Sequence, residues 1–183
     1  MNKYVKYILT IGWILFSRSY DAYCSVLLTP DLKKEANPLV TVGGISSWTT
    51  IIVILSIVFI YVMYAFTIRT FRPMDLFPKE ENLSFSNFVS FVYLGKKTHW
   101  TSILVKYPKD LRRLNQVLGE LSSKFLVFAG LISTLMWILI HYSATYRSIH
   151  QASIIYVLLI VGCLCIAYFW FLQQFKVYQR MNS

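Results

Sequence analysis

Arg18 and Asp21 are the residues whose chemistry most needs an explanation, because both are charged and both lie inside a long apolar segment, 7–28. Residues three apart share one face of a helix, so these two side chains are placed to neutralise one another. Counting about 1.5 Å per residue from Lys6, Arg18 would lie near the middle of a ~30 Å hydrocarbon core. We therefore expect an intramembrane ion pair that fixes the packing of the first helix, with a proton relay, an ion relay or a substrate counter-ion as the functional alternative.

A second group of polar residues, Glu35, Asn37 and Pro38, follows this segment. Asn is a good N-cap and proline fits the first helical turn, so Asn37 and Pro38 are typical of a helix start. Glu35 is not required for that purpose, although its carboxylate is placed to accept hydrogen bonds from the free amides of the new helix. It also lies on the side of the membrane toward which Asp21 points.

The pattern formed by Asp21, Glu35, Asn37, Pro38 and Leu39 resembles that of a family of small polytopic bacterial and archaeal membrane proteins of unknown function. In that family an Asp late in the first helix precedes Glu-x-Asn-Pro-Leu at the start of the second. The central part of this chain and its last two apolar segments lie outside the resemblance. Because the family has no established activity, the resemblance implies a paired-helix unit and no particular reaction.

The composition is that of a membrane protein: 56% of the 183 residues are hydrophobic, 17% are aromatic and only 14% are charged. Four segments contain the roughly 20 apolar residues that a transmembrane helix needs, at 7–28, 48–67, 125–146 and 152–171. The second segment has an alternative start near Leu39, which would make it a broken or re-entrant span. We predict an all-α integral membrane protein with four transmembrane helices.

The distribution of charge predicts the orientation of these helices. The central loop, 68–124, has ten basic residues against five acidic ones, and both chain ends are basic. Because Lys and Arg are retained on the cytoplasmic side, we expect both termini and the central loop to be cytoplasmic. The same retention explains the net charge of +10, so we expect no nucleic-acid partner. The predicted location is the bacterial inner membrane, as a multi-pass protein.

The predicted organisation is a helical hairpin at 1–67, a basic cytoplasmic loop at 68–124, and a second hairpin with a basic tail at 125–183. The first apolar segment imitates the core of a signal peptide. No small-residue cleavage motif follows it, so we expect a retained helix.

Two short amphipathic helices are predicted inside the central loop. The first carries an apolar i, i+3, i+4, i+7 stripe and is expected at the membrane surface. Its stripe consists of Phe85, Phe88, Val89 and Val92. The second is capped by Asp110 and runs into the third span. Its stripe consists of Leu111, Leu114, Val117, Leu118 and Leu121.

The apolar stripe of the second helix suits either a membrane surface or a partner protein, since amphipathicity alone does not distinguish them. Membrane-surface packing is the simpler interpretation. If a partner docks there, we expect Leu111, Leu114 and Leu118 to bind it. The aromatic side chains of the last two spans are expected to offer further surface to another helix bundle. The residues in question are Trp137, Phe169, Trp170 and Phe171.

No motif for a metal, a cofactor or a covalent reaction is present in the sequence. His141 and His150 lack the His-x-x-Glu-His or Cys-x-x-Cys spacing of a zinc site, and no Gly-rich phosphate loop or nucleophile elbow occurs. We therefore expect no metal and no cofactor.

The expected function is that of a non-catalytic accessory subunit that docks on a larger membrane-protein complex within the lipid bilayer. The alternative is a small cation- or proton-coupled transporter, or a channel subunit, that uses Asp21 and Glu35. An intramembrane enzyme is the third interpretation.

Overall fold

The structure is a computed structural model that describes residues 2–33, 35–80 and 82–181. Within these ranges the chain forms helices, and no strand occurs among them. In chain order the elements are α1 (Lys3–Leu28), α2 (Pro38–Thr41), α3 (Trp48–Phe71), α4 (Phe85–Leu94), the 3₁₀-helix η1 (Trp100–Leu104), α5 (Leu111–Tyr142), α6 (Ala144–Ile149) and α7 (Ala152–Met181). The all-α prediction is confirmed for the described residues.

Three of these helices, α3, α5 and α7, are long and apolar enough to cross a membrane. The predicted second and fourth apolar segments lie within α3 and α7, and the predicted third segment, 125–146, lies within α5 as far as Tyr142. Helix α1 has 26 residues and is less apolar, because Arg18 and Asp21 interrupt its hydrophobic sequence.

The residues at two helix ends explain why α5 and α4 end where they do. Helix α5 ends at Tyr142, four residues before the predicted end of the third span. There the hydroxyl of Ser143 accepts a hydrogen bond from the amide of Tyr146 at 3.1 Å and starts the separate helix α6. Helix α4 ends at Leu94, and the C-cap residue Gly95 that follows has a φ of 75°, a left-handed conformation that favours glycine.

The chain forms two compact units. The first comprises residues 1–61 and 125–162, and the second comprises residues 62–124 and 163–183. Helices α3, α5 and α7 contribute residues to both.

Small residues set the helix packing inside the first unit. A Cβ atom at Gly130 of α5 would collide with the side chain of Ser17 on α1. A Cβ atom at Gly162 of α7 would likewise collide with the ring of Phe128 on α5. The absence of a side chain at Gly130 and Gly162 therefore lets a side chain of the neighbouring helix lie against the glycine, and small residues are common where apolar helices pack in membranes.

The second unit is centred on aromatic side chains of α4 and α7. The ring of Phe88, which is fully buried, lies 5.3 Å from the ring of Phe175 and 5.1 Å from the ring of Tyr178. Val89 and Val92 on the same stripe are also buried. The apolar stripe of α4 therefore packs against side chains of the same chain. The position of this helix at the membrane surface stays a prediction. Periodicity identifies the apolar face of a helix but not what covers it.

Candidate functional site

The structure places Arg18 and Asp21 in an ion pair, with Nη1 of Arg18 3.3 Å from Oδ2 of Asp21. Both residues belong to α1, and the i, i+3 spacing brings their side chains to one face. The side chains are 28% and 30% exposed, respectively. The pair is thus partly covered by its own protein, and its charges neutralise one another.

Two side chains of α5 complete this pair. Nη2 of Arg18 donates to the hydroxyl of Ser133 at 2.5 Å, and the indole N–H of Trp137 donates to Oδ1 of Asp21 at 2.7 Å. Ser133 and Trp137 are four residues apart and share one face of α5. The charged residues of α1 therefore have specific partners on α5, and these four residues are called the α1–α5 polar cluster below.

Sequence analysis missed these partners on α5. It assigned Trp137 to a surface for another helix bundle, whereas the indole N–H is bound to Asp21 inside this chain. Trp170, assigned in the same way, is buried. The sequence does contain an indication of a polar face on α5, namely a Ser four residues before a Trp in an apolar helix. Polar side chains in such helices usually hydrogen-bond to another helix.

The carboxylate of Glu35 joins the end of α1 to the start of α2. Its Oε2 accepts from the hydroxyl of Thr29 at 2.6 Å, and its Oε1 accepts from the amide of Asn37 at 2.9 Å. The side chain of Asn37 in turn accepts from the amide of Leu39 at 3.0 Å, which makes it the N-cap before Pro38. The loop motif is therefore a capping structure in which Glu35 takes part directly.

Thr29 makes a second hydrogen bond within the same unit. Its carbonyl oxygen accepts from the indole N–H of Trp48 at 2.8 Å, at the first residue of α3. Glu35 and the first residue of α3 are thus both hydrogen-bonded to Thr29, the residue that follows α1.

Tyr156 on α7 belongs to the same compact unit as Asp21 and Glu35. Within the described ranges, no hydrogen bond joins Asp21 to Glu35 directly. Sequence analysis did not single out Tyr156, because nothing in its local sequence separates it from the other tyrosines of the spans.

Candidate metal ligands do not converge in the part of the chain that the structure describes, where no group of three His, Cys, Asp or Glu side chains is placed to hold a metal ion. The two histidines considered above have other contacts. The ring of His141 packs edge-on against Tyr142 at 4.7 Å, and Nδ1 of His150 lies 3.4 Å from the hydroxyl of Tyr146.

The second unit contains a polar cluster that sequence analysis did not foresee. Nε of Arg69 on α3 lies 3.1 Å from Oε2 of Glu120 on α5, whose other oxygen lies 2.9 Å from Nζ of Lys124. The buried amide of Gln116 donates to the carbonyl of Arg72 at 2.8 Å. In the sequence these residues are recognisable only as charged residues of the central loop, whereas in the structure Arg69 and Glu120 join α3 to α5.

Arg113 makes a different kind of contact in the same unit. Its Nη1 donates to the carbonyl oxygens of Phe91 and Val92 near the end of α4, at 2.9 and 3.2 Å, and to that of Leu76 at 3.3 Å. Carbonyls in the last turn of a helix lack partners within the helix, so a cation there satisfies them.

The predicted partner-binding leucines differ in exposure. Leu111, at the first residue of α5, is 68% exposed, whereas Leu114 and Leu118 are half-buried. Val117 and Leu121, from the same stripe, are buried within the chain. The part of this stripe that remains accessible therefore lies at the start of α5.

No protein-family model, no curated protein and no solved structure matches this chain.

Proposed function

We propose that this chain is a non-catalytic accessory subunit of a larger membrane-protein assembly. The observation that carries the proposal is the state of the two acids that a transporter would need. Both oxygens of Asp21 and both oxygens of Glu35 accept hydrogen bonds or ion-pair contacts from groups of the same chain. Acids held in this way fix the local arrangement of the chain, and a subunit needs no more from them.

The proposed docking surface is the apolar stripe at the start of α5. Leu111 is largely exposed there and the half-buried Leu114 and Leu118 adjoin it. Apolar side chains that a partner covers dominate the energy of an interface. We infer that this stripe, which precedes the apolar part of α5, binds another protein of the assembly.

The proposed topology has four spans, with α1 as the first and both termini in the cytoplasm. At about 1.5 Å per residue, a helix as long as α1 extends further than a ~30 Å hydrocarbon core. Its charged pair has hydrogen-bond partners on α5, because Arg18 donates to Ser133 and Trp137 donates to Asp21. The basic central loop supports the orientation, and we propose the bacterial inner membrane as the location. The family resemblance at Asp21 and Glu35 remains part of this proposal.

Replacing Leu111, Leu114 and Leu118 together by Ser tests the subunit proposal. We expect the triple Ser variant to lose a protein that co-purifies with the parent chain in mild detergent, seen as a fall in native mass. The matched control replaces the same three residues by Met, which keeps the apolar surface and should keep the partner. An equal native mass for the parent and the triple Ser variant, with no foreign protein in either, contradicts the proposal.

A cation- or proton-coupled transporter is the second candidate, because the two acids that it would use, Asp21 and Glu35, lie in one compact unit. Tyr156 of α7 belongs to the same unit, which therefore contains titratable groups from α1, α7 and the loop before α2. This candidate requires a cation-dependent rise in melting temperature that both Asp21→Asn and Glu35→Gln abolish.

A further inference from the structure

The segment after α4 exposes an unusual number of apolar side chains. Leu104, Val105 and Tyr107 are 77%, 80% and 84% exposed, and Trp100 is half exposed. These four residues are called the apolar loop surface below. Large apolar side chains concentrated in so short an exposed segment mark a binding surface.

Hydrogen bonds to α4 hold the start of this surface in place. The hydroxyl of Ser90 accepts from the amide of Thr98 at 3.0 Å and also donates to the carbonyl of the same residue. The amide of Trp100 donates to the hydroxyl of Ser86 at 3.1 Å. The segment therefore folds back along α4 and presents Trp100 beside the first turn of that helix.

The first turn of α4 lies beside the apolar part of α7. The ring of Phe85 is 6.1 Å from the ring of Tyr168 and 5.4 Å from that of Phe175. Tyr168 lies in the last turn of the predicted fourth span, 152–171, and Phe175 lies one turn beyond it. In the proposed topology, on which this inference rests, Trp100 is thus placed near the level at which α7 leaves the hydrocarbon core, where Trp and Tyr side chains are enriched in membrane proteins.

Exposed basic side chains are close to the residues of the apolar loop surface in the sequence. Lys96, Lys106, Lys109 and Arg112 are all exposed. The one acid between them, Asp110, accepts a hydrogen bond from the amide of Arg112 at 2.9 Å. Apolar and basic side chains in this combination suit a layer of anionic headgroups that lies above acyl chains.

We propose that the apolar loop surface and its lysines bind anionic phospholipids of the membrane that the same chain crosses. Trp100, Leu104 and Val105 insert at the boundary between headgroups and acyl chains, and Lys106 and Lys109 lie against headgroup phosphates. The position of Trp100 beside the apolar part of α7 favours lipid over a protein partner, because a membrane is always present at that level. This site is distinct from the leucine stripe of α5.

A nitroxide at position 104 tests the proposal. The label is attached through Leu104→Cys in the full chain, with its three native cysteines replaced by Ser, and the protein is placed in nanodiscs with or without phosphatidylglycerol. We expect the label to be accessible to oxygen and shielded from a water-soluble nickel chelate in the anionic discs, with weaker shielding in phosphatidylcholine alone. Because Leu104 is exposed, the label should not disturb the fold, and a second label through Val105→Cys serves if it does.

Charge removal tests the headgroup contact. We assume that each lysine makes the usual contribution to the free energy of binding at an anionic surface. The double change Lys106→Gln with Lys109→Gln should then reduce the ratio of membrane-inserted to water-exposed loops about 30-fold in the anionic discs. Lys33→Gln, a change of an exposed lysine elsewhere in the chain, is the matched control and should have no effect. A label that is equally open to the nickel chelate in both lipids overturns the proposal. So does shielding that appears only when a second protein is present, since the surface would then be a protein interface.

Discussion

The indole N–H of Trp137 donates to Oδ1 of Asp21 at 2.7 Å, although the two residues are 116 positions apart in the sequence. The contact means that the negative member of the Arg18–Asp21 pair has two partners, one on its own helix and one on α5. A hydrogen bond to a charged group is stronger than one between neutral groups. The contact therefore fixes the rotation of α1 against α5 as well as stabilising the charge.

Removing one charge of the pair should cost more than removing both. Asp21→Asn keeps an oxygen that accepts from Trp137 but leaves Arg18 without its counter-charge, and the expected loss is about 3 kcal/mol, at the low end for a buried pair because the side chains are partly exposed. The double change Arg18→Met with Asp21→Leu leaves no unpaired charge. In detergent, the parent should have the highest melting temperature, the double variant the next highest and Asp21→Asn the lowest. A double variant that melts below Asp21→Asn contradicts a structural role for the pair.

Trp137→Phe should weaken the packing of α1 against α5, because it removes a donor to a carboxylate. The expected loss is about 1.5–3 kcal/mol, the range for a hydrogen bond to a charged group. The matched control is Trp13→Phe, which removes an indole donor to the neutral carbonyl of Val127 at 3.2 Å and should cost about 1 kcal/mol. The measurement is the midpoint of unfolding for each variant, and equal losses at the two positions would show that the charge on Asp21 adds nothing.

Local spacing predicted part of the candidate site. The i, i+3 relation is enough to place Arg18 and Asp21 on one face, and an Asn before a Pro is enough to indicate the N-cap at Asn37. Both features are local in sequence. The contacts of Ser133 and Trp137 with α1 could not be predicted. A contact between distant helices depends on the rotation of each helix about its axis, which a single sequence does not specify.

The apolar segments show a similar division between local and tertiary information. The length and composition of the segments within α3, α5 and α7 were sufficient to identify helices able to cross a membrane. What packs against the stripe around Phe88 could not be predicted, and in the structure it is the rings of Phe175 and Tyr178. Both of those residues lie in the part of α7 that follows the predicted span.

Gly130→Ala tests the close approach of α1 and α5. A Cβ atom at position 130 would collide with both side-chain atoms of Ser17, so we expect a loss of about 1–3 kcal/mol, as for other overpacked positions. Gly12→Ala on α1 is the matched control, because a Cβ there meets nothing within 4 Å and alanine favours the helix by about 1 kcal/mol. Thermal melts should therefore move in opposite directions for the two alanine variants. A rise for Gly130→Ala would show that the helices are further apart than the structure has them.

The orientation of the chain is tested by labelling single cysteines in intact cells. Lys33 and Lys96 are both exposed, and the positive-inside rule places Lys33 outside and Lys96 in the cytoplasm. In a chain without its native cysteines, a membrane-impermeant maleimide should therefore label Lys33→Cys in intact cells and Lys96→Cys only after the membrane is opened. Labelling of both variants in the opened cells is the control for accessibility. Immediate labelling at position 96 together with protection at position 33 would reverse the proposed topology, and it would move the basic central loop to the outer surface of the membrane.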